Sequence, residues 1–162
     1  MIERKNPELL IDSFNNLPAN LRKRSELIIV GDGILKNSLT KKNKYKNIFF
    51  KGFINQNEIC NFYNNCDVFI LPSKEENWGL VINEVMNFKK PIICSSVVGC
   101  NLDLVRNNFN GNIFKNNDKK DLTKKLRNCF NKKKLNKFGK NSFAIINKWN
   151  IDYAVKQFEK II

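Results

Sequence analysis

Histidine is absent from this chain of 162 residues. That removes imidazole from every candidate site, and with it Ser/His/Asp and Cys/His catalysis within the chain. Cysteine occurs without a metal-binding pattern: Cys60, Cys66, Cys94, Cys100 and Cys129 form no C-x-x-C pair. Thiolate–imidazole zinc sites are therefore excluded too. The five cysteines read as reduced, mostly buried small apolar residues, with a reactive thiol as the lesser alternative. No apolar run approaches the roughly 20 residues that span a bilayer. Met1-Ile2-Glu3-Arg4-Lys5 leads straight into an amphipathic helix pattern and not into a secretory leader. A cytoplasmic protein is the expectation.

Acidic residues are scarce, with 15 Asp and Glu against 29 Lys and Arg, for a net charge of +14. Such a charge can serve nucleic acid. Here, however, the lysines are spread along the chain among asparagines, with only short clusters such as Lys132-Lys133-Lys134. Aromatics of the kind that stack RNA bases on basic strands are missing, and Phe49-Phe50 reads as short and buried. The charge is read as solvated surface, with attraction to anionic lipid or a phosphorylated substrate as the alternative; no nucleic-acid partner is expected.

What is present is an alternation of two periodicities. Leu9, Leu10, Phe14 and Leu17 follow helical spacing, with Pro7 suited to a first turn. Leu27-Ile28-Ile29-Val30 is a continuous apolar run closed by Gly31-Asp32-Gly33, and Ile48-Phe49-Phe50 repeats this up to Gly52. A helix over Glu58–Asn64, strands at Val68–Leu71, Ile92–Cys94 and Ile113-Phe114, and helical stripes through Leu122 to Phe130 and Leu135 to Ile145 complete the pattern. A last stripe runs Ala154, Phe158, Ile161. Short continuous strands between helices of about ten residues predict β-α-β units, hence an α/β fold with a Rossmann-like, doubly wound parallel sheet. Ligands of such sheets sit beyond the carboxyl ends of the strands. Gly31, Gly52, Pro72 to Gly79 and Ser95 to Gly99 share that edge.

The most informative stretch is Glu76-Asn77-Trp78-Gly79-Leu80-Val81-Ile82-Asn83-Glu84. It follows the run ending Ile70-Leu71-Pro72-Ser73, so Glu76 falls in a strand-to-helix loop and Glu84 about one turn into a helix from Leu80 to Phe88. That placement aims helix-terminus amides and two carboxylates at one spot, the former suited to a phosphate and the latter to sugar hydroxyls. Gly79 could be an ordinary turn glycine, or one that lets a ligand approach the backbone. Trp78 could cap the core or meet the ligand.

Read as E-x7-E in the form E-x-W-G-L-x-x-x-E-x-M, with Lys90-Pro91-Ile92-Ile93 following, this stretch resembles the C-terminal, donor-binding domain of the retaining, family 4 type glycosyltransferases of GT-B fold (glycosyl transferases group 1). The resemblance continues in register from about Lys5 to Phe130. Leu27 to Gly33 is similar to the family's strand and turn ending G-x-G, and Ile48-Phe49-Phe50-Lys51-Gly52-Phe53 to its strand ending G-(F/Y). Tyr63 to Leu71 is similar to Y-x-x-(A/C)-D-(V/L)-F-(V/I)-L. Val98-Gly99 with Asp103-Leu104-Val105, and Asn110 to Phe114, match further pieces.

The resemblance implies transfer of a sugar from a UDP-, GDP- or ADP-sugar, with retention, onto a glycan or lipid-linked acceptor in cell-envelope polysaccharide synthesis. It implies no cofactor and no metal; the D-x-D signature of metal-dependent transferases is absent. It assigns Glu84 to the ribose hydroxyls and Glu76 to the donor sugar near the reacting carbon. Asn77, Trp78, Gly79 and Leu80 face the sugar and pyrophosphate, and the loops at Gly31, Gly33, Gly52 and Phe53 approach the nucleotide. Lys5 matches the Lys of an R-x4-K pair that neutralises the leaving pyrophosphate; the Arg position falls immediately before Met1. The acceptor-binding N-terminal domain and the strand that precedes the Arg have no counterpart here. Residues 1–148 are thus expected to form the donor domain, and 149–162 a helix crossing to the other half, with its apolar stripe making the isolated chain prone to self-association. Peripheral contact with the inner face of the membrane is a further expectation. A fragment, a truncated product and one subunit of a split enzyme all fit, as does a non-catalytic nucleotide-sugar binding module. A basic nucleic-acid-binding protein and a sugar epimerase on the same scaffold are weaker alternatives.

Overall fold

Each apolar run bounded by turn residues becomes a strand in the computed structural model, which describes residues 1–150 together with Tyr153, Val155 and Glu159. The strands are β1 (Leu27–Val30), β2 (Ile48–Gly52), β3 (Phe69–Leu71), β4 (Ile92–Ser95) and β5 (Gly111–Phe114). The helices are α1 (Pro7–Asn15), α2 (Ala19–Arg22), α3 (Lys36–Lys42), α4 (Gln56–Asn65), α5 (Leu80–Asn87), α6 (Asn101–Leu104), α7 (Lys119–Arg127) and α8 (Lys132–Ile146), with 3-10 turns at Glu3–Lys5 and Asn128–Phe130. The expected crossing helix over 149–162, with Ala154, Phe158 and Ile161, falls on residues that are for the most part outside those described.

All strand pairs are parallel, β1 with β2, β3 with β4 and β4 with β5. Among the described residues the hydrogen-bonded ladder comes in two pieces, β1-β2 and β3-β4-β5. One apolar floor nevertheless runs beneath both. Ile29 and Ile48 of the first piece pack in the same cluster as Ile93 and Phe114 of the second, under Leu9, Leu10 and Phe14 of α1 and Leu122 and Leu126 of α7. The opposite face carries a second cluster, in which Leu71, Ile92 and Cys94 meet Ile82, Val85 and Met86 of α5, Leu104 of α6 and Ile146 of α8. Successive residues of β4 thus point to opposite cores, as the two-residue period of a strand requires. Burial on both faces explains why β4 lacks polar alternation.

Two expectations are corrected. Phe49 was expected buried, but it lies on the face of β1-β2 that no described helix covers, and it and Ile28 are both exposed. Of the cysteines, Cys94 and Cys100 are buried and Cys66 and Cys129 half-buried, but Cys60 is exposed on α4. Burial pushes the Cys100 thiol up to about 11 and the Cys129 thiol up to about 12, so neither supplies a thiolate near neutrality.

The α5–α8 contact is set by one glycine. A Cβ on Gly139 of α8 would stand 1.9 Å from the carbonyl oxygen of Lys89, just past α5. In an exposed helix, Ala in place of Gly would be favourable by about 1 kcal/mol. Here we expect Gly139→Ala to destabilise by about 1–3 kcal/mol, because the helices must separate. Urea denaturation checks the sign; a stabilised variant would show that the two helices are not in close contact.

Candidate active site

The loop after β3 is held from behind by main-chain bonds. The Gly99 amide donates to the Glu76 carbonyl (3.0 Å) and the Cys100 amide to the Trp78 carbonyl (3.0 Å). No side chain fits between them, since a Cβ on Gly99 would lie 1.8 Å from the Asn77 carbonyl oxygen. The Trp78 ring turns away from the strand edge into the second core cluster. Its indole N–H donates to Asn83 Oδ1 of α5 (3.1 Å), and its ring meets that of Trp149 at 5.7 Å between centroids. Gly79 then adopts φ +94, a left-handed conformation that glycine tolerates, and becomes the N-cap of α5 with no side-chain cap. The Ile82 amide closes the first turn on the Gly79 carbonyl (2.8 Å), and the amides of Leu80 and Val81 are left for water or a ligand. Leu80, which opens the helix, is 70% exposed.

Lys5 reaches this loop from the chain's start. The Lys74 amide donates to the Arg4 carbonyl (2.8 Å), and Lys74 Nζ donates to Glu3 Oε1 (2.9 Å). The ammonium of Lys74 holds the Glu3 carboxyl below its ordinary range. So tied, the 3-10 turn presents Lys5 Nζ to Glu76 Oε2 as an ion pair, with side chains 38% and 12% exposed. Ser73 Oγ also donates to Glu76 Oε2 (3.4 Å). Asn116 ties the floor together, donating from Nδ2 to the Lys74 carbonyl (3.3 Å) and accepting from Ser95 Oγ (3.1 Å).

The remaining expected residues form two outer groups. Gly31 donates to the Gly52 carbonyl at 2.7 Å, both with positive φ, so the loops after β1 and β2 close on one another. Gly33 lies against the backbone of Met1. Lys36 pairs with Asp32 at 2.9 Å beside them, and Phe53 is 77% exposed. Glu84 stands on α5, and its Oε2 accepts from Tyr63 of α4 (2.8 Å) rather than from Lys5. Asn77 is exposed at the loop's tip.

The structure therefore brings Lys5 and Glu76 together across 71 positions of sequence, and seats Glu84 with a partner the sequence reading did not foresee. Ser73, Tyr63, Asn83, Asn116 and the Lys74–Glu3 tie were likewise not singled out as site residues. Of these only Ser73 carried a local signal, as the last residue before the loop. A shallow cleft of about 250 Å³ lined by Asn16, Lys120, Thr123, Lys124 and Arg127 lies at the other end of α1 from Lys5. It contains none of the expected residues.

Because the chain's two tryptophans pack on one another at this loop, intrinsic fluorescence reports on it. We expect Gly99→Ala to red-shift the emission as Trp78 loosens and to cost about 1–3 kcal/mol of stability. Unchanged emission and stability would show that Gly99 does not hold the loop.

The family model for glycosyl transferases group 1 matches residues 1–144. A curated relative, UDP-Gal:alpha-D-GlcNAc-diphosphoundecaprenol alpha-1,3-galactosyltransferase of Escherichia coli, is 36% identical over 148 residues, which is 88% of this chain and 37% of that protein. An uncharacterized glycosyltransferase of Methanocaldococcus jannaschii is 26% identical over 99% of this chain and 45% of its own length. The chain thus spans less than half of either relative. Among solved structures, the C-terminal domain of a glycosyl transferase group 1 family protein of Francisella tularensis superposes with a TM-score of 0.82 at 22% identity, covering 93% of this chain and 83% of that one. HepE of Anabaena, in complex with UDP and glucose, superposes with a TM-score of 0.80 at 22% identity over 99% of this chain and 45% of its own.

Proposed function

The chain belongs to the glycosyl transferases group 1 family, with the fold of the C-terminal half of a GT-B enzyme, and on that premise we propose that residues 1–148 bind the nucleotide-sugar donor for a retaining sugar transfer. The observation that carries this is the Lys5–Glu76 ion pair beside the uncapped start of α5. Departure of a nucleoside diphosphate from a sugar develops positive charge at the anomeric carbon and negative charge on the diphosphate. Glu76 supports the first charge, while Lys5 and the first-turn amides of α5 receive the second. Without donor the two side chains neutralise one another. A bound diphosphate competes for Lys5 and frees Glu76 to face the sugar.

In this arrangement Glu84 holds the ribose hydroxyls. The backbone at Gly31, Gly33, Gly52 and Phe53 borders the nucleotide, and Asn77, Trp78, Gly79 and Leu80 border the sugar and pyrophosphate. No metal is needed, since fixed charges and positioning do the work. UDP is the first candidate nucleotide, because it is named for both the Escherichia coli relative and the Anabaena structure. The relative's lipid diphosphate acceptor and this chain's charge of +14 favour a lipid-linked or glycan acceptor met at an anionic membrane face. Among the described residues no helix is long and apolar enough to cross a membrane. Acceptor binding falls to a further domain or a partner chain, toward which residues 149–162 would cross.

A thermal-shift panel of UDP, GDP and ADP, each alone and as sugar conjugates, tests the donor role. One series should raise Tm by several degrees when present at about 100 times its Kd. Glu84→Ala should reduce the shift, and Lys5→Ala should weaken diphosphate binding by about tenfold. A folded sample that none of the three series stabilises would overturn the donor role.

A further inference from the structure

Glu84 lies exposed on α5, where a glutamate side chain would sample several rotamers. One buried group restrains it. The Tyr63 ring is 8% exposed, packed edge-on against Phe69 of β3 at 6.3 Å between centroids and tilted against Phe88 at the end of α5 at 5.6 Å. A ring held from a strand and a helix end fixes where its hydroxyl points. That hydroxyl donates to Glu84 Oε2 at 2.8 Å. Burial first, and the adjoining carboxylate second, push the phenol well above its ordinary value, so the O–H remains a donor throughout the physiological range.

We propose that Tyr63 is a positioning residue for nucleotide recognition, holding Oε2 of Glu84 so that Oε1 is presented in one orientation to a ribose hydroxyl. The inference rests on the reading of Glu84 as the ribose ligand. A charged acceptor immobilised before binding loses less side-chain entropy when the hydroxyl arrives. A hydroxyl donated to a carboxylate is also a stronger bond than one to a neutral acceptor. The phenol further ties α4 to α5, so the ribose site moves with the helix whose first turn faces the diphosphate.

The test compares the nucleoside diphosphate that binds, drawn from UDP, GDP and ADP, with its 2′,3′-dideoxy analogue by titration calorimetry. The wild-type chain should prefer the ribose form. Tyr63→Phe removes only the hydroxyl and keeps the ring packing; it should cut that preference by about 3- to 10-fold and leave affinity for the dideoxy form unchanged. In a Glu84→Ala background the same substitution should have no further effect. Equal preference in wild type and Tyr63→Phe, with Glu84→Ala still impaired, would overturn this inference and leave the donor site standing. Binding by none of the three nucleotides would overturn both. A uniform loss of affinity for both forms would mark Tyr63 as structural support only.

Discussion

The turn carrying Glu76 is fixed from behind by the main chain of the loop after β4, and everything at the carboxyl edge of the strands is placed relative to it. Two amides, of Gly99 and Cys100, take the carbonyls of Glu76 and Trp78, and the absence of a side chain at Gly99 permits the approach. With the loop pinned, Gly79 can start α5 from a left-handed conformation and leave the amides of Leu80 and Val81 open. The Lys74 amide then holds the carbonyl of Arg4 and so delivers Lys5. Opposite charges thus meet over a floor of asparagine and serine side chains cross-linking the loops after β3, β4 and β5. Such a site is organised before any ligand enters, which is what electrostatic stabilisation of a charged transition state demands.

Much of this was legible in the chain because the signals were local. Short parallel strands appear as unbroken apolar runs, and all five strands fall where Leu27–Val30, Ile48–Phe50, Val68–Leu71, Ile92–Cys94 and Ile113-Phe114 predicted. The loop-to-helix junction at Gly79 follows from its neighbours as well. Other features are set by distant partners. α3 carries a single buried side chain, Leu39, in an otherwise polar segment, so it shows no apolar stripe; α2 is four residues long and has no buried residue. Phe49 looks like core because its neighbours are core, but burial of that face depends on a covering layer that no local pattern encodes. Tyr63 falls within the helix expected over Glu58–Asn64, while its bond to Glu84 spans 21 positions. The Lys5–Glu76 contact spans 71 and was reached only through the family resemblance, and then as two separate roles.

The arrangement is also one-sided. Leu80 and Phe53 stand exposed around the strand edge. The nucleotide contacts proposed for it draw only on its own loops and helix start. The chain spans less than half of the length of its curated relatives.

The most direct measurement is a titration of the isotope-labelled chain with UDP followed by 15N–1H correlation spectra. Binding at the proposed site predicts the largest shifts at the amides of Gly79, Leu80 and Val81, with Gly52 and Phe53 next and with loss of the Lys5–Glu76 contact. Shifts confined to the basic cleft of Lys120, Lys124 and Arg127 would contradict it, by placing the diphosphate on a surface that shares none of these residues.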